Sequence, residues 1–513
     1  MARKKVYAAI DVGSHEIQMQ IAEIDKDELP RTIEKLRRTL PIGTDTYMGG
    51  QISQAVLETC MNVLSGLTEE MSAYRIGACR AVATSAFREA ANRMYVLDQI
   101  ERRSGLTIEV LSNDEERAYH IMAAAAHTPD FDSLIRQGTL VVDLGAGSIQ
   151  VTVYDKGQFI FSQNMLLGSL RIRELLADLE RRTADFASLM DEYISSDLDY
   201  YHLLEPKGIL YRNLIVLGGE MPYLRKLAGR DPEHATVLEP HDFDQLYQQL
   251  LLSKPIDLAL ERDIPAEHAS LLLPAALIIS KFMRFTGVSQ IHLPATTLCD
   301  AILLDFARKK GYQVAHDMAS DILSACRNIA KRYHVDRHHT EFVERCALLL
   351  FDETWRLHRL PPRARLLLQA AVILHDCGKY INMSRHNVRS YNIILATEII
   401  GLSQREKTVI AWTAGFHSGH ISMEEQGLSA LDPADQLAIA KLASLLRIAN
   451  ALDTGHQQKI KDLAVQIEEQ NLVLTVTTGQ DVVLEIWSLE KNGELFAEIF
   501  GFVPRIKIRR TQP

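Results

Sequence analysis

Twice near the start of this chain, an apolar run ends in an aspartate and a small-residue turn before a second apolar strand begins. Residues 140–153 read LVVDLGAGSIQVTV: a β-branched run closed by Asp143, the turn Gly145-Ala146-Gly147-Ser148, then a strand from Ile149 to Val153. Residues 6–24 read VYAAIDVGSHEIQMQIAEI, with Asp11, Gly13-Ser14 and an alternating strand carrying Ile17, Met19 and Ile21. Each is the pattern of a hairpin with a tight loop. Such a loop exposes backbone N–H groups that cradle phosphate, beside a carboxylate that holds a divalent cation. A single glycine-rich turn is ordinarily just a turn. Two in phase, about 130 residues apart, predict a duplicated architecture facing one cleft.

Between and after these repeats the period changes. Residues 50–70 predict a helix, with Val56, Leu57, Cys60, Met61 and Leu64 at helical spacing. Arg75 to Thr84 predicts a strand, and residues 83–93 open a helix with Ser85 as N-cap and Arg88 and Asn92 on one face. A strand at Thr107 to Leu111 leads into a helix running to about His127, with Asp114, Glu115 and Glu116 in its first turn. Acidic residues there ordinarily complement the helix dipole. Past a linker at Arg308-Lys309-Lys310-Gly311, residues 315–457 read as helices: Asp321 to His334, one beginning at His339, and Ala364 to His375. Residues 460–513 alternate, predicting strands around Leu472, Leu474 and Val476 and at Val482 to Ile486. The closing RIKIRR places Arg505, Lys507 and Arg509 on one face, either a solvated edge strand or the wall of a polyanion path.

Composition narrows the picture. With 513 residues, three or four domains are expected. The net charge of −10 excludes a global attraction to nucleic acid or anionic lipid, so neither is an expected partner. No apolar run approaches a membrane span. The basic start MARKK is followed by a run broken at Asp11, which is not a signal peptide. The six cysteines (Cys60, Cys79, Cys299, Cys326, Cys346, Cys377) form no CxxC pair, which points to a reducing cytoplasm.

Four segments in order, AAIDVGSHE, ATSAFREAAN, LSNDEERA and VVDLGAGSIQ, carry a family resemblance. The glycine pair Gly218-Gly219 and the block QIHLPATTLCDAIL follow where they should. The chain resembles the exopolyphosphatase/guanosine pentaphosphate phosphatase (Ppx/GppA) family in its long form. Its paired loops resemble the phosphate loops of the actin-like ATPase superfamily. The resemblance implies an α/β fold of two ribonuclease-H-like subdomains, 1–125 and 126–308. An all-α HD-type domain at 315–457 and a small α/β tail at 460–513 are implied to follow. It implies release of terminal phosphate from inorganic polyphosphate or guanosine pentaphosphate by a homodimer. Glu116 would be the general base, with Glu115 the alternative, and Arg88 a guanidinium for phosphate oxygens. Gly13, Ser14, Gly145, Ala146, Gly147 and Ser148 would bind phosphate, and Asp11 and Asp143 would hold Mg2+.

The pair His375-Asp376, followed by Gly378-Lys379, resembles the mark of HD-domain metallophosphohydrolases, with His339 as the distant histidine. A second divalent metal on His339, His375 and Asp376 is the corresponding expectation. Asn450 stands where that set closes on an aspartate, with Asp453 one turn later, and His386 and His417 are further candidate ligands. The loops depart from the family's usual wording. His15-Glu16 replaces Asn-Ser, and Ile149-Gln150 replaces Thr-Glu. A protonated His15 is expected to offset Glu16 in part. The pair Ile149→Thr and Gln150→Glu is expected to raise hydrolysis. Two other classes are open: a phosphate-chain or nucleotide-binding regulator, and an HD-centred phosphohydrolase.

Overall fold

The two strand–turn–strand repeats open two sheets that share one strand order. The structure is a computed structural model describing residues 5–510, apart from 26–27, 181, 184, 231–235, 314–315 and 420–426. The first four residues of the basic start, and the expected beginning of the helical domain at 315, lie outside the described residues. It divides into two compact units, Met1–Ser320 and Asp321–Pro513.

In the first unit, β1 (Lys5–Val12), β2 (Glu16–Ile24) and β3 (Arg31–Thr39) form an antiparallel meander. Strands β4 (Ile76–Ala83) and β5 (Ile108–Val110) continue in parallel from β1, in the order β3-β2-β1-β4-β5. The second sheet repeats this. Strands β6 (Gly138–Leu144), β7 (Ile149–Asp155) and β8 (Gln158–Met165) meander, and β9 (Tyr211–Leu217) continues in parallel from β6. Beyond it, β10 (Val237–Leu238) pairs antiparallel with β11 (Gln290–His292), which runs parallel to β9. The duplication reaches single residues. Asp11 pairs with Gln18 and Asp143 with Gln150. Gly13 N–H donates to the Glu16 carbonyl, and Gly145 N–H to the Ser148 carbonyl, each at 3.0 Å.

Strand β6 is buried along its whole length, as a strand covered on both faces should be. Its sheet shares a core with helix Leu272–Thr286 through Leu140, Val142, Ile149, Val151, Ala276 and Ile279. Ala8, Ile10, Ile17 and Met19 of the first sheet meet Leu57, Cys60 and Leu64 of helix Gln54–Ser72. The opposite face, with Tyr7, Ala9 and Ala22, is covered by helix Leu298–Lys309 through Leu298, Ile302 and Leu303. That helix falls in the second subdomain by sequence position, yet the chain crosses back and packs it on the first sheet.

Three sequence expectations are corrected here. Ser85 is not an N-cap: it is the first residue of a short helix, Ser85–Glu89, that follows Thr84. Arg88 and Asn92 do not share a helix face, because that helix stops at Glu89 and Asn92 precedes the next, Arg93–Ser104. The strand expected at Val482 to Ile486 is instead the start of helix Val483–Asn492. Val482, Glu485, Ser488 and Leu489 are its buried positions, a spacing of three to four residues, and Val483 and Leu484 face solvent.

Among its described residues the second unit is built first of helices, including Arg337–Glu353, Pro362–Leu374, His386–Ala396, Gln404–Gly415 and Pro433–Ala451. A small α/β tail follows, its sheet ordered β12 (Asp462–Glu468), β13 (Asn471–Thr478), β14 (Val503–Arg510). Arg505, Lys507 and Arg509 are exposed along the edge strand β14. Among the described residues no helix is long and apolar enough to cross a membrane.

Candidate functional site

Asp11 and Asp143 each stand one residue before the end of the first strand of a repeat, where the backbone turns and side chains gather. Both line one cavity in the first unit, together with Gly13, Ser14, Gly145, Ala146, Ser148 and Glu116. Gly147, also expected to bind phosphate, is not in the cavity wall. A Cβ there would lie 1.8 Å from Tyr47 Oη and 2.5 Å from Ser85 Oγ, so only glycine lets these hydroxyls close on the loop. Tyr47 Oη donates to Ser14 Oγ at 2.7 Å and lies 3.0 Å from Ser85 Oγ, tying the first loop to the helix that starts at Ser85. Arg171 holds the second loop. Its Nε donates to the Gly147 carbonyl at 2.6 Å, its Nη2 binds Glu89, and its guanidinium lies 3.8 Å over the Tyr47 ring.

The helix Asn113–His127 brings the acid. Ser112 and Glu115 form a reciprocal capping box: Ser112 Oγ accepts from Glu115 N–H, and Glu115 Oε2 accepts from Ser112 N–H at 3.1 Å. Glu115 is therefore committed to the helix start. Glu116, one residue on, faces the cavity, and its Oε2 accepts from Arg88 Nη1 at 2.9 Å. Arg88 also donates to the Leu111 carbonyl at 2.8 Å and does not line the cavity. Its guanidinium orients a carboxylate instead of facing the open space. Lys35 and Arg37 on β3 supply cations to the cavity wall.

The cavity is acidic at its base. Burial raises Asp11 to about 7; His120 opposes the shift, and Glu116, Glu16 and Asp143 add to it. Burial likewise raises Asp143 against the pull of His120. Asp11 Oδ1 is out of solvent contact with no hydrogen-bond partner. His120 was missed by sequence reasoning, although it lies four residues after Glu116 on the same helix face. Its Nε2 is 3.6 Å from Asp143 Oδ2.

The altered loop residues separate. His15 is buried, and burial with neighbouring His268 lowers it to about 4, so it is neutral at pH 7 and does not offset Glu16 as expected. Glu16 instead accepts from Gln18 Nε2 and lies 3.8 Å from His268 Nε2. Ile149 belongs to the hydrophobic core, so a hydroxyl there would be buried away from the loop. Gln150 does face the cavity, and its Oε1 has no partner.

In the second unit, His339, His375 and Asp376 present ligand atoms within 4.8 Å of one another, and Asp376, His386 and His417 do the same. His375 is fully buried, its Nδ1 donates to the Val372 carbonyl at 2.6 Å, and its Nε2 has no partner. His339 contacts Asp453 Oδ2 through Nδ1 at 2.8 Å and Asn450 Oδ1 through Nε2 at 3.0 Å. Burial opposes ionisation of Asp376, but His375, His417 and Lys379 hold it well below the usual carboxylate range.

The fold and site define an α/β protein whose duplicated sheets place paired strand–aspartate–turn elements on one cavity, followed by a helical region and a small α/β tail. Residues 20–310 match the Ppx/GppA phosphatase family, and residues 323–493 match Ppx/GppA phosphatase, domain III. The chain belongs to the Ppx/GppA phosphatase family. It is 22% identical over 488 residues to the guanosine-5'-triphosphate,3'-diphosphate pyrophosphatase of Aeromonas hydrophila subsp. hydrophila, covering 93% of this chain and 94% of that one. The protein of the same description from Photobacterium profundum is 24% identical over 487 residues, covering 92% of this chain and 91% of that one. A crystal structure of an exopolyphosphatase from Cytophaga hutchinsonii superposes with a TM-score of 0.51 at 20% identity, covering 60% of this chain and 99% of that one.

Proposed function

We propose that the chain is a Mg2+-dependent phosphohydrolase that releases terminal phosphate from inorganic polyphosphate or guanosine pentaphosphate in the cavity of its first unit. The observation that carries this reading is Glu116, a carboxylate left out of the capping box, held by Arg88 and facing the cavity that Asp11 and Asp143 line. Family membership supports the reaction class. Water attacks the terminal phosphorus, the bridging P–O bond breaks, and Glu116 takes the proton. Orthophosphate leaves with a chain one phosphate shorter. Arg88 positions the base. Lys35, Arg37 and the loop N–H groups meet phosphate oxygens. The unpartnered Asp11 Oδ1 and two carboxyls raised by burial fit a hard divalent cation held by Asp11 and Asp143. When bound, that ion neutralises charge on the phosphate oxygens. We read the sheets as ribonuclease-H-like from their shared strand order and the helical unit as HD-type from His375-Asp376. We assign no step to a metal on His339, His375 and Asp376, because neutral Asn450 stands where a carboxylate is needed.

The test is phosphate release from long-chain polyphosphate and from guanosine pentaphosphate, with Mg2+ and with chelator. Mg2+-dependent release from at least one is expected. A folded protein that binds these chains but consumes neither with Mg2+ or Mn2+ overturns the hydrolase reading in favour of a binding regulator.

Gln150→Glu alone, leaving Ile149 in its core, is expected to lower the half-saturating Mg2+ concentration. A hydrogen bond or contact to a charged group is worth about 1.5–3 kcal/mol, and about 1.4 kcal/mol is tenfold, so a roughly tenfold drop is the scale. Mg2+ titration of phosphate release checks it; an unchanged curve removes residue 150 from the cation's surroundings.

A further inference from the structure

The two residues by which the first loop departs from its family's usual wording, His15 and Glu16, build one corner of the first unit's cavity together with Gln18 and His268. The strand register sets this up. Gln18 on β2 stands opposite Asp11 on β1, and directly opposed residues of an antiparallel pair share a face. Glu16, two residues before Gln18, shares that face too. The rings of His15 and His268 meet edge to face with centroids 5.3 Å apart, and Tyr223 packs on His268 at 4.7 Å. His268 Nε2 lies 3.8 Å from Glu16 Oε2.

His15, Gln18 and His268 are buried, and their polar atoms are unanswered. Among the described residues, neither ring nitrogen of His15, nor His268 Nδ1, nor Gln18 Oε1 has a hydrogen-bond partner. Gln18 Nε2 donates to Glu16, so Gln18 Oε1 is left to accept. Burial and then Arg37 lower His268 to about 4, and His15 is equally low, so both rings are neutral at pH 7. A neutral imidazole offers one N–H and one lone pair. The corner therefore presents donors and acceptors side by side, next to a carboxylate. An ionised phosphate oxygen only accepts. It would leave the acceptors unmet and bring negative charge against Glu16. An ammonium only donates, and would strand the imidazole N–H groups. A hydroxyl does both, and a neighbouring pair of hydroxyls reaches several of these atoms at once. A ligand that leaves such buried groups unpaired is rejected.

We propose that His15, Glu16, Gln18 and His268 form a subsite for the hydroxyls of a sugar-like group carried by the phosphate chain, so that the cavity favours a phosphorylated polyol, a nucleotide among them, over inorganic polyphosphate. Glu16 is the specificity-determining residue: it accepts from a hydroxyl and repels a phosphate placed there. Arg37, opposite Gln18 on β3, stays for a phosphate oxygen. The subsite deepens the phosphohydrolase reading of this cavity and rests on it only for the phosphorylated end of the ligand.

The experiment is calorimetric binding in Mg2+ to the full chain carrying Glu116→Gln, so that the ligand is not consumed. The probes are inorganic tripolyphosphate, methyl triphosphate, which is organic but has no carbon-bound hydroxyl, and two ribonucleoside triphosphates, one purine and one pyrimidine. Both ribonucleotides should bind at least about tenfold tighter than the other two, the scale of one hydrogen bond to a charged group. Adding Glu16→Gln should remove about tenfold of that preference, with thermal melts to show that the variant folds. The comparison of the four probes needs no change in the corner and decides the matter if that variant misfolds. Equal binding of all four, binding of none, or the full preference kept by folded Glu16→Gln overturns the subsite. A preference confined to the purine ligand also overturns it, since the base and not the sugar is then read. Phosphate release by the wild-type chain is measured beside these titrations. Its absence with the ribonucleotide preference intact removes the hydrolase reading and keeps the subsite; its presence with equal binding does the reverse.

Discussion

Glu116→Gln is expected to lower phosphate release by about 10²–10⁴-fold, the usual contribution of a positioned general base, while the fold survives. The substitution keeps the side chain's shape and an oxygen that accepts from Arg88. Arg88 also keeps its bond to the Leu111 carbonyl, so no guanidinium is stranded. What is lost is the capacity to take a proton. The control is the neighbouring residue. Glu115→Ala removes half of the capping box and should cost about 0.5–2 kcal/mol of stability with the rate nearly kept. Steady-state rates and thermal melts of the two variants therefore move in opposite columns: one loses turnover, the other stability. Wild-type turnover in Glu116→Gln would take the base role away from it, and loss of turnover in a stable Glu115→Ala would transfer the role there.

The hairpins were legible because their signals are local: a period of two, an aspartate, and a glycine turn within fourteen residues of sequence, LVVDLGAGSIQVTV. The Ser-x-x-Glu spacing at Ser112 and Glu115 is equally local but went unread, so Glu115 stayed open as the alternative base until the structure showed it in the capping box. Tyr47 and Arg171 were not legible. Their roles come from contacts with Ser14, Ser85 and Gly147, which no short-range pattern brings together. Helix Leu298–Lys309 follows the second sheet in sequence but packs on the first, a topological fact that no local pattern encodes. The tail's misread strand has a different cause. Val482, Val483 and Leu484 are apolar in succession, and such short runs carry no period. Only the burial of Glu485, Ser488 and Leu489 reveals the helical face.

Asp143→Asn is expected to change activity and stability in opposite directions. It removes one of two carboxylates proposed to hold Mg2+, so the half-saturating Mg2+ concentration should rise by tenfold or more, since a neutral amide oxygen is a poor substitute for a carboxylate. Without Mg2+ the same change should stabilise the protein. Asp143 is 8% exposed, and burial raises its carboxyl along with that of Asp11, which means that ionising either in the folded state is costly. Asp11 makes the pH dependence explicit. Its folded value is about 7 against an ordinary 3.8, so the folded state binds more protons between those limits. That group's contribution to stability is full below pH 3.8 and is lost as pH rises through 7. Asp11→Asn abolishes the titration, so its stability gain over wild type should grow from about pH 4 to pH 7 in chelator and shrink or reverse in Mg2+, which binds the folded wild type more tightly and so stabilises it more. Thermal melts of both variants across that pH range, with and without Mg2+, measure this directly. Equal Mg2+-induced stabilisation of wild type, Asp11→Asn and Asp143→Asn would remove the cation from between the two loops, and a destabilised metal-free Asp143→Asn would show that its carboxylate is satisfied by its protein neighbours, His120 first among them.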